Sequence, residues 1–320
     1  MSQRSRRDRE RKMIMSKYTV VLALLVIPIV FPFTALAQDT PAKLETLSEE
    51  AYQAVVQFYQ YDKTIPLEAR MVERRERDDY AREKVVFRGV RGFLVPAFLE
   101  LPKTGQAPFP CILLLHGWSG GKLNWWEDDN FIYGGLARKA LLEAGYAVFA
   151  LDAQAHGERC AEIDYAHVNY SEKDGWKNYF TLPEIYTQTT TDYRRGLDYL
   201  ATRPEINMDR LGVLGYSMGG TQSFLLTSVD SRIKVTVACV TPAMTEKYYP
   251  VAPKNYVRGL AGRPFLMLMG RTDELCSVDL AKQLYDLIPS EQKDLKFFEA
   301  GHKLPKEYIE DVVAWFNKYL

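Results

Sequence analysis

The sequence is short of the side chains on which several protein classes depend. Four cysteines in 320 residues are too few for a disulfide scaffold. One or two bridges stay open to it, and Cys160 and Cys276, in loop-like stretches, are better placed to pair than Cys111 and Cys239 in apolar runs. Neither sign of charge is in excess, since 41 basic residues balance 41 acidic ones. A chain without net charge exerts no broad pull on phosphate backbones, so nucleic acid is not an expected partner. Internal repeats and low-complexity tracts are absent, and histidine is scarce: His116, His156, His167 and His302 are the only imidazoles.

What is present begins with a processing segment. Arg4, Arg6, Arg7, Arg9, Arg11 and Lys12 precede an apolar stretch from about Val20 to Phe33, and Ala35-Leu36-Ala37 offers a small-x-small cleavage site. Residues 1–37 are therefore expected to be a signal peptide, with Met13 or Met15 as alternative starts, and the protein to be exported to the periplasm or beyond. The competing reading is an uncleaved anchor, because Tyr18 to Ala37 carries no charge and approaches the length of a membrane span. Pro28, Pro32 and the Ala-Leu-Ala end favour cleavage, which leaves no stable membrane association.

From Pro41 to Tyr61 the pattern reads as an amphipathic helix, and Glu68 to Lys84 as a densely charged, solvated stretch. Residues 38–84 thus form an N-terminal helical and charged segment, and 85–320 one catalytic domain with an insertion at about 157–183. Strands are expected at Val85 to Phe87, Phe93 to Leu99, Cys111 to Leu115, Tyr146 to Leu151, Leu211 to Leu214, Val235 to Val240, Phe265 to Met269 and Leu295 to Phe298. From Cys111 onward helical stretches alternate with them: Tyr133 to Ala144, Ile185 to Ala201, Val278 to Ile288 and Lys306 to Tyr319. Short apolar strands separated by helices imply an α/β fold, a mostly parallel central sheet with helices on both faces. Ligands of such sheets bind beyond the strand C-terminal ends.

One strand runs into Gly215-Tyr216-Ser217-Met218-Gly219, a G-x-S-x-G nucleophile elbow. The turn continues Gly220-Thr221-Gln222, without the Lys-Ser/Thr of a P-loop, and its glycines are not in G-x-G-x-x-G order. A purely structural Gly-rich turn is the remaining alternative. As a nucleophile Ser217 needs a base within hydrogen-bond reach. His302 follows a strand through Glu299-Ala300-Gly301 and best meets that need, while His116 reads as a structural hydrogen-bonder and Asp152 and His156 as loop-ordering groups. Gly270-Arg271-Thr272-Asp273-Glu274 also follows a strand, so Asp273 is expected to orient the histidine, with Glu274 as competitor. The backbone N–H groups of Met218 and of Trp118, in His116-Gly117-Trp118-Ser119-Gly120-Gly121, are placed to hold an oxyanion.

With these residues assembled, the chain resembles the α/β-hydrolase superfamily, in its dienelactone hydrolase-like and acetylxylan esterase-like branch. The resemblance runs from about Val90 to Leu320. It rests on Pro110-Cys111-Ile112-Leu113-Leu114-Leu115-His116-Gly117, Asp192 to Leu200, the elbow, Asp273 and Gly301-His302. Dienelactone hydrolases proper carry Cys where this chain has Ser217, which directs the expectation towards esters rather than lactones. The implied activity is an exported serine esterase working through an acyl-enzyme, needing no metal or cofactor, on a small-molecule or carbohydrate-linked ester. A prolyl oligopeptidase-like peptidase and a non-catalytic binding module are the alternatives. Aromatics in the loops, Trp125, Trp126 and Trp176 foremost, are expected either to bind substrate or to pack a cap.

Overall fold

The computed structural model describes residues 43–118, 120–165 and 180–320, which fall in one compact unit. The signal-like segment, Trp176 and most of the 157–183 insertion lie outside the described residues. Among those described, nine strands form one sheet: β1 (Arg70–Glu76), β2 (Tyr80–Arg88), β3 (Leu94–Pro102), β4 (Phe109–Leu115), β5 (Ala147–Leu151), β6 (Ile206–Tyr216), β7 (Ile233–Cys239), β8 (Phe265–Gly270) and β9 (Lys293–Phe298). Their order is β1-β2-β3-β5-β4-β6-β7-β8-β9. The first three run antiparallel and β3 is antiparallel to β5, whereas β5, β4, β6, β7, β8 and β9 are parallel.

The helices are α1 (Glu49–Val56), α2 (Gly134–Glu143), α3 (Leu182–Leu200), α4 (Met218–Val229), α5 (Val278–Leu287) and α6 (Tyr308–Tyr319). Central strands are apolar on both sides because both sides are covered. In β4, Ile112 and Leu114 join a cluster with Leu141 of α2 and Phe316 of α6, while Cys111, Leu113 and Leu115 join Tyr193 and Leu197 of α3. In β8, Leu266 and Leu268 share the α2–α6 cluster, and Phe265, Met267 and Met269 pack with Phe224 of α4 and Leu284 of α5. The parallel order brings the C-terminal ends of β4, β6, β8 and β9 to one edge, where the loops with Trp118, Ser217, Asp273 and His302 emerge.

The N-terminal reading needs correction. The helix expected from Pro41 to Tyr61 is α1 alone, capped by Ser48, whose side chain accepts from the Ala51 N–H, followed by a single 3-10 turn at Gln57–Tyr59. The stretch from Glu68 to Lys84 contains a β-hairpin, and the boundary placed between residues 84 and 85 cuts through β2. Charge hid the alternation: β2 turns Ala81, Glu83, Val85 and Phe87 inward, and buried Glu83 is neutralised by Arg74 and Arg203. The first half of the stretch, with β1 exposed along its whole length at the sheet edge, is solvated as expected. Helix α3 starts earlier than Ile185 because Thr181 and Glu184 form a capping box around its first turn. All four cysteines are free thiols, so the Cys160–Cys276 bridge left open above is not formed.

Candidate active site

The elbow is built by what its neighbours exclude. A Cβ at Gly215 would run into the Gly219 carbonyl and Ser223 Oγ, and one at Gly219 into the Leu115 carbonyl, so the strand-to-helix turn closes only with glycine there. Between them Ser217 adopts φ 58° and ψ −114°, a conformation costly for a residue with a side chain. The flanking structure holds it: the Ser217 N–H donates to the Cys239 carbonyl at 2.9 Å, tying the turn to β7. The half-buried hydroxyl therefore stands beyond the end of β6, at the N-terminus of α4.

Three expected residues meet there. Ser217 Oγ lies 2.7 Å from His302 Nε2, and His302 Nδ1 lies 2.9 Å from Asp273 Oδ2. Asp273 is buried, and its Oδ1 accepts from the Leu275 N–H at 2.9 Å, so both carboxylate oxygens are engaged and the side chain is fixed. An acceptor on the Nδ1 side selects the tautomer with the proton on Nδ1, which turns the Nε2 lone pair to the serine hydroxyl. Glu274, the competing acid, is exposed and takes no part in this chain of hydrogen bonds.

Tyr216 completes the arrangement and was not anticipated. Its hydroxyl donates to the His302 carbonyl at 3.1 Å and accepts from the Leu304 N–H at 2.8 Å, stapling the histidine loop to the strand that carries the serine. Tyr216 occupies a variable position of G-x-S-x-G, so the motif carried no signal for it.

On the other side of the serine, Met218 is the first residue of α4, where backbone N–H groups lack an acceptor within the helix. Gly117 packs against the elbow, a Cβ there falling 3.6 Å from Ser217 Cβ, and so brings Trp118 beside it. His116 is buried, with Nδ1 2.6 Å from the Gly117 carbonyl and Nε2 accepting from the Ala153 N–H at 2.9 Å. Burial pushes its pKa down to about 4, so the ring is a neutral brace between two loops. Asp152 orders the same region, accepting from the Lys122 backbone at 2.7 Å, Lys122 Nζ at 2.6 Å and the Glu158 N–H at 3.0 Å. A cavity of about 670 Å³ opens beside Trp118 over Lys122 and His156, and neither Ser217 nor His302 lines it.

Of the tryptophans named as substrate binders, Trp125 and Trp126 lie elsewhere, and Trp176 falls outside the described residues. Trp125 is fully buried in the α2–α6 core. Trp126 packs edge-on against Phe98 of β3 and donates its Nε1–H to buried Glu100 at 2.8 Å, which Arg82 and Arg138 also contact. The 3-10 turn Lys122–Trp126 packs chiefly on α2, which sends Trp125 into the core and Trp126 onto Phe98 of β3. Among the described aromatics of that loop, Phe131 is the one that reaches the imidazole, with ring centroids 6.2 Å apart.

Comparison with known proteins agrees with this architecture. The model of the alpha/beta hydrolase fold family matches residues 110–260, from β4 past the elbow to the end of the 3-10 segment before β8. YtaP of Bacillus subtilis is 28% identical over 147 residues, which cover 44% of this chain and 46% of that protein. The uncharacterized peptidase YuxL of the same organism is 25% identical over 288 residues, covering 77% of this chain and 39% of its own. The chain spans less than half the length of the curated relatives it matches first. Acetyl xylan esterase 1 from Thermoanaerobacterium superposes with a TM-score of 0.64 at 17% identity, covering 87% of this chain and 96% of that one. On its sheet order, its elbow and these matches, the chain has the α/β-hydrolase fold.

Proposed function

We propose that the protein is a serine hydrolase of carboxylic esters that works through an acyl-enzyme. The observation that carries this reading is the unbroken hydrogen-bond chain from Ser217 through His302 to buried Asp273. Ser217 Oγ attacks the ester carbonyl as His302 Nε2 takes its proton, and Asp273 stabilises the imidazolium that forms. The N–H groups of Met218 and Trp118 receive the oxyanion, assisted by the positive end of α4. Collapse expels the alcohol, protonated by His302. Water then enters, deprotonated by the same nitrogen, and attacks the acyl-serine; collapse releases the acid and restores the hydroxyl.

Ester rather than amide substrates are supported by the acetyl xylan esterases among the structural neighbours, and small-molecule or carbohydrate-linked esters are the substrate class that follows. A peptidase is the second reading, supported by the long match to YuxL. The basic, apolar and Ala-Leu-Ala succession at the N-terminus supports export. The test is hydrolysis of a p-nitrophenyl ester beside blocked dipeptide amides. Wild type should turn over the ester and Ser217→Ala should not; undiminished activity in the variant refutes the assignment. Preference for the amides would favour the peptidase.

A further inference from the structure

We propose that Phe131 is a specificity-determining residue on the alcohol side of the ester, where it selects leaving groups with a planar apolar ring. The inference rests on the hydrolase reading above and extends it to the part of the substrate that departs. His302 Nε2 must deliver a proton to the leaving oxygen, so that oxygen lies within hydrogen-bond reach of the imidazole and its substituent extends past the ring. Phe131 is the aromatic that flanks the imidazole, tilted 40° to it with centroids 6.2 Å apart.

Its exposure is unusual for its surroundings. Phe131 is 49% exposed, although its ring also meets Tyr216 edge-on at 6.3 Å. A free loop would let such a ring collapse onto the protein, but this loop is pinned on both sides. Asn130 Oδ1 accepts from the N–H groups of Ile132 and Gly134, each at 3.1 Å, and its amide donates to the Asn124 carbonyl. The buried Tyr308 hydroxyl donates to the Ile132 carbonyl at 2.7 Å. Exposed Lys303 lies 6.0 Å over the Phe131 ring and 4.8 Å over Tyr133. The ring is thus a fixed, half-open apolar platform beside the proton donor. A planar alcohol group laid on it would remove that surface from water and gain ring–ring contact.

The experiment compares benzyl acetate with ethyl acetate, which share an acyl group and have alcohols of similar acidity. In Phe131→Ala the ratio of kcat/KM for benzyl over ethyl acetate should fall about tenfold, the scale of one apolar contact in specificity. The change should reside mainly in KM, and Phe131→Leu should recover part of it. A ratio that is unchanged in Phe131→Ala, or a loss shared equally by both esters, overturns the proposal. Fluorophosphonate labelling of wild type and both variants separates the two levels. A labelled serine with an unchanged ratio refutes the role of Phe131 alone, whereas an unlabelled, inactive wild type refutes the hydrolase reading and the inference with it.

Discussion

Removing one oxygen atom from Tyr216 should disable the site without touching any reacting group. Its hydroxyl links two backbone groups of the histidine loop, donating to the His302 carbonyl at 3.1 Å and accepting from the buried Leu304 N–H at 2.8 Å. Tyr216→Phe leaves the Leu304 N–H buried without a partner, at about 1–3 kcal/mol, and deprives the His302 carbonyl, which water can partly reach, of about 1 kcal/mol more. The expected loss is about 2–4 kcal/mol, or about 4–10 °C in Tm for a domain of this size. The kinetic effect is separate. A loop released from its staple lets His302 Nε2 drift from its 2.7 Å contact with Ser217, and a displacement near 1 Å costs about 10²-fold in rate. Ester hydrolysis should therefore show kcat reduced about 10- to 100-fold with KM within about twofold of wild type. Thr227→Val provides the comparison, because it breaks a buried 2.7 Å hydroxyl contact with Thr236, away from the elbow, and should lower Tm while leaving kcat in place. A Tyr216→Phe enzyme with kcat within twofold of wild type, or one whose loss matches that of Thr227→Val, would refute the staple.

Three further outcomes follow from the same geometry. Asp273→Asn keeps the shape but can donate to Nδ1, favouring the wrong tautomer, and should lower kcat about 10³- to 10⁴-fold; a loss below tenfold would deny the carboxylate its role. Lys122→Met strands the buried carboxylate of Asp152 and should cost about 3–5 kcal/mol in urea unfolding, with Lys122→Met/Asp152→Asn recovering part; full stability in the single variant contradicts the pairing. His116 titrates near 6.5 in an unfolded chain, and burial lowers this to about 4 in the fold, so the unfolded chain binds the proton first as pH falls. Stability present above pH 6.5 should decline towards pH 4 by on the order of 3 kcal/mol from this group, and His116→Asn should show a shallower decline. Parallel wild-type and variant curves between pH 7 and 4.5 would refute the assignment.

The legible parts of this chain were those whose physics is local. Apolar runs such as Cys111 to Leu115 and Phe265 to Met269 became β4 and β8 within a residue or two, since burial on both faces demands continuous hydrophobicity. The order of Ser217, Asp273 and His302 along alternating strands and helices was enough to bring them to one edge. Other features depended on partners distant in sequence. Glu83 reads as a solvated charge until Arg74 and Arg203 are seen around it. Trp125 and Trp126 share a loop with Phe131, and composition alone cannot tell which aromatic turns to the core, which to the sheet and which to the histidine. Tyr216 shows the same limit within the motif itself, where a variable position acquires its role only through a loop 86 residues further along.

Peptide mapping after reaction with a fluorophosphonate asks whether Ser217 is an activated nucleophile independently of the natural ester. A single adduct is expected on the peptide containing Ser217, with no adduct in Ser217→Ala and labelling slowed by orders of magnitude in His302→Ala. An adduct on another residue, or ester hydrolysis that survives in Ser217→Ala, would contradict it.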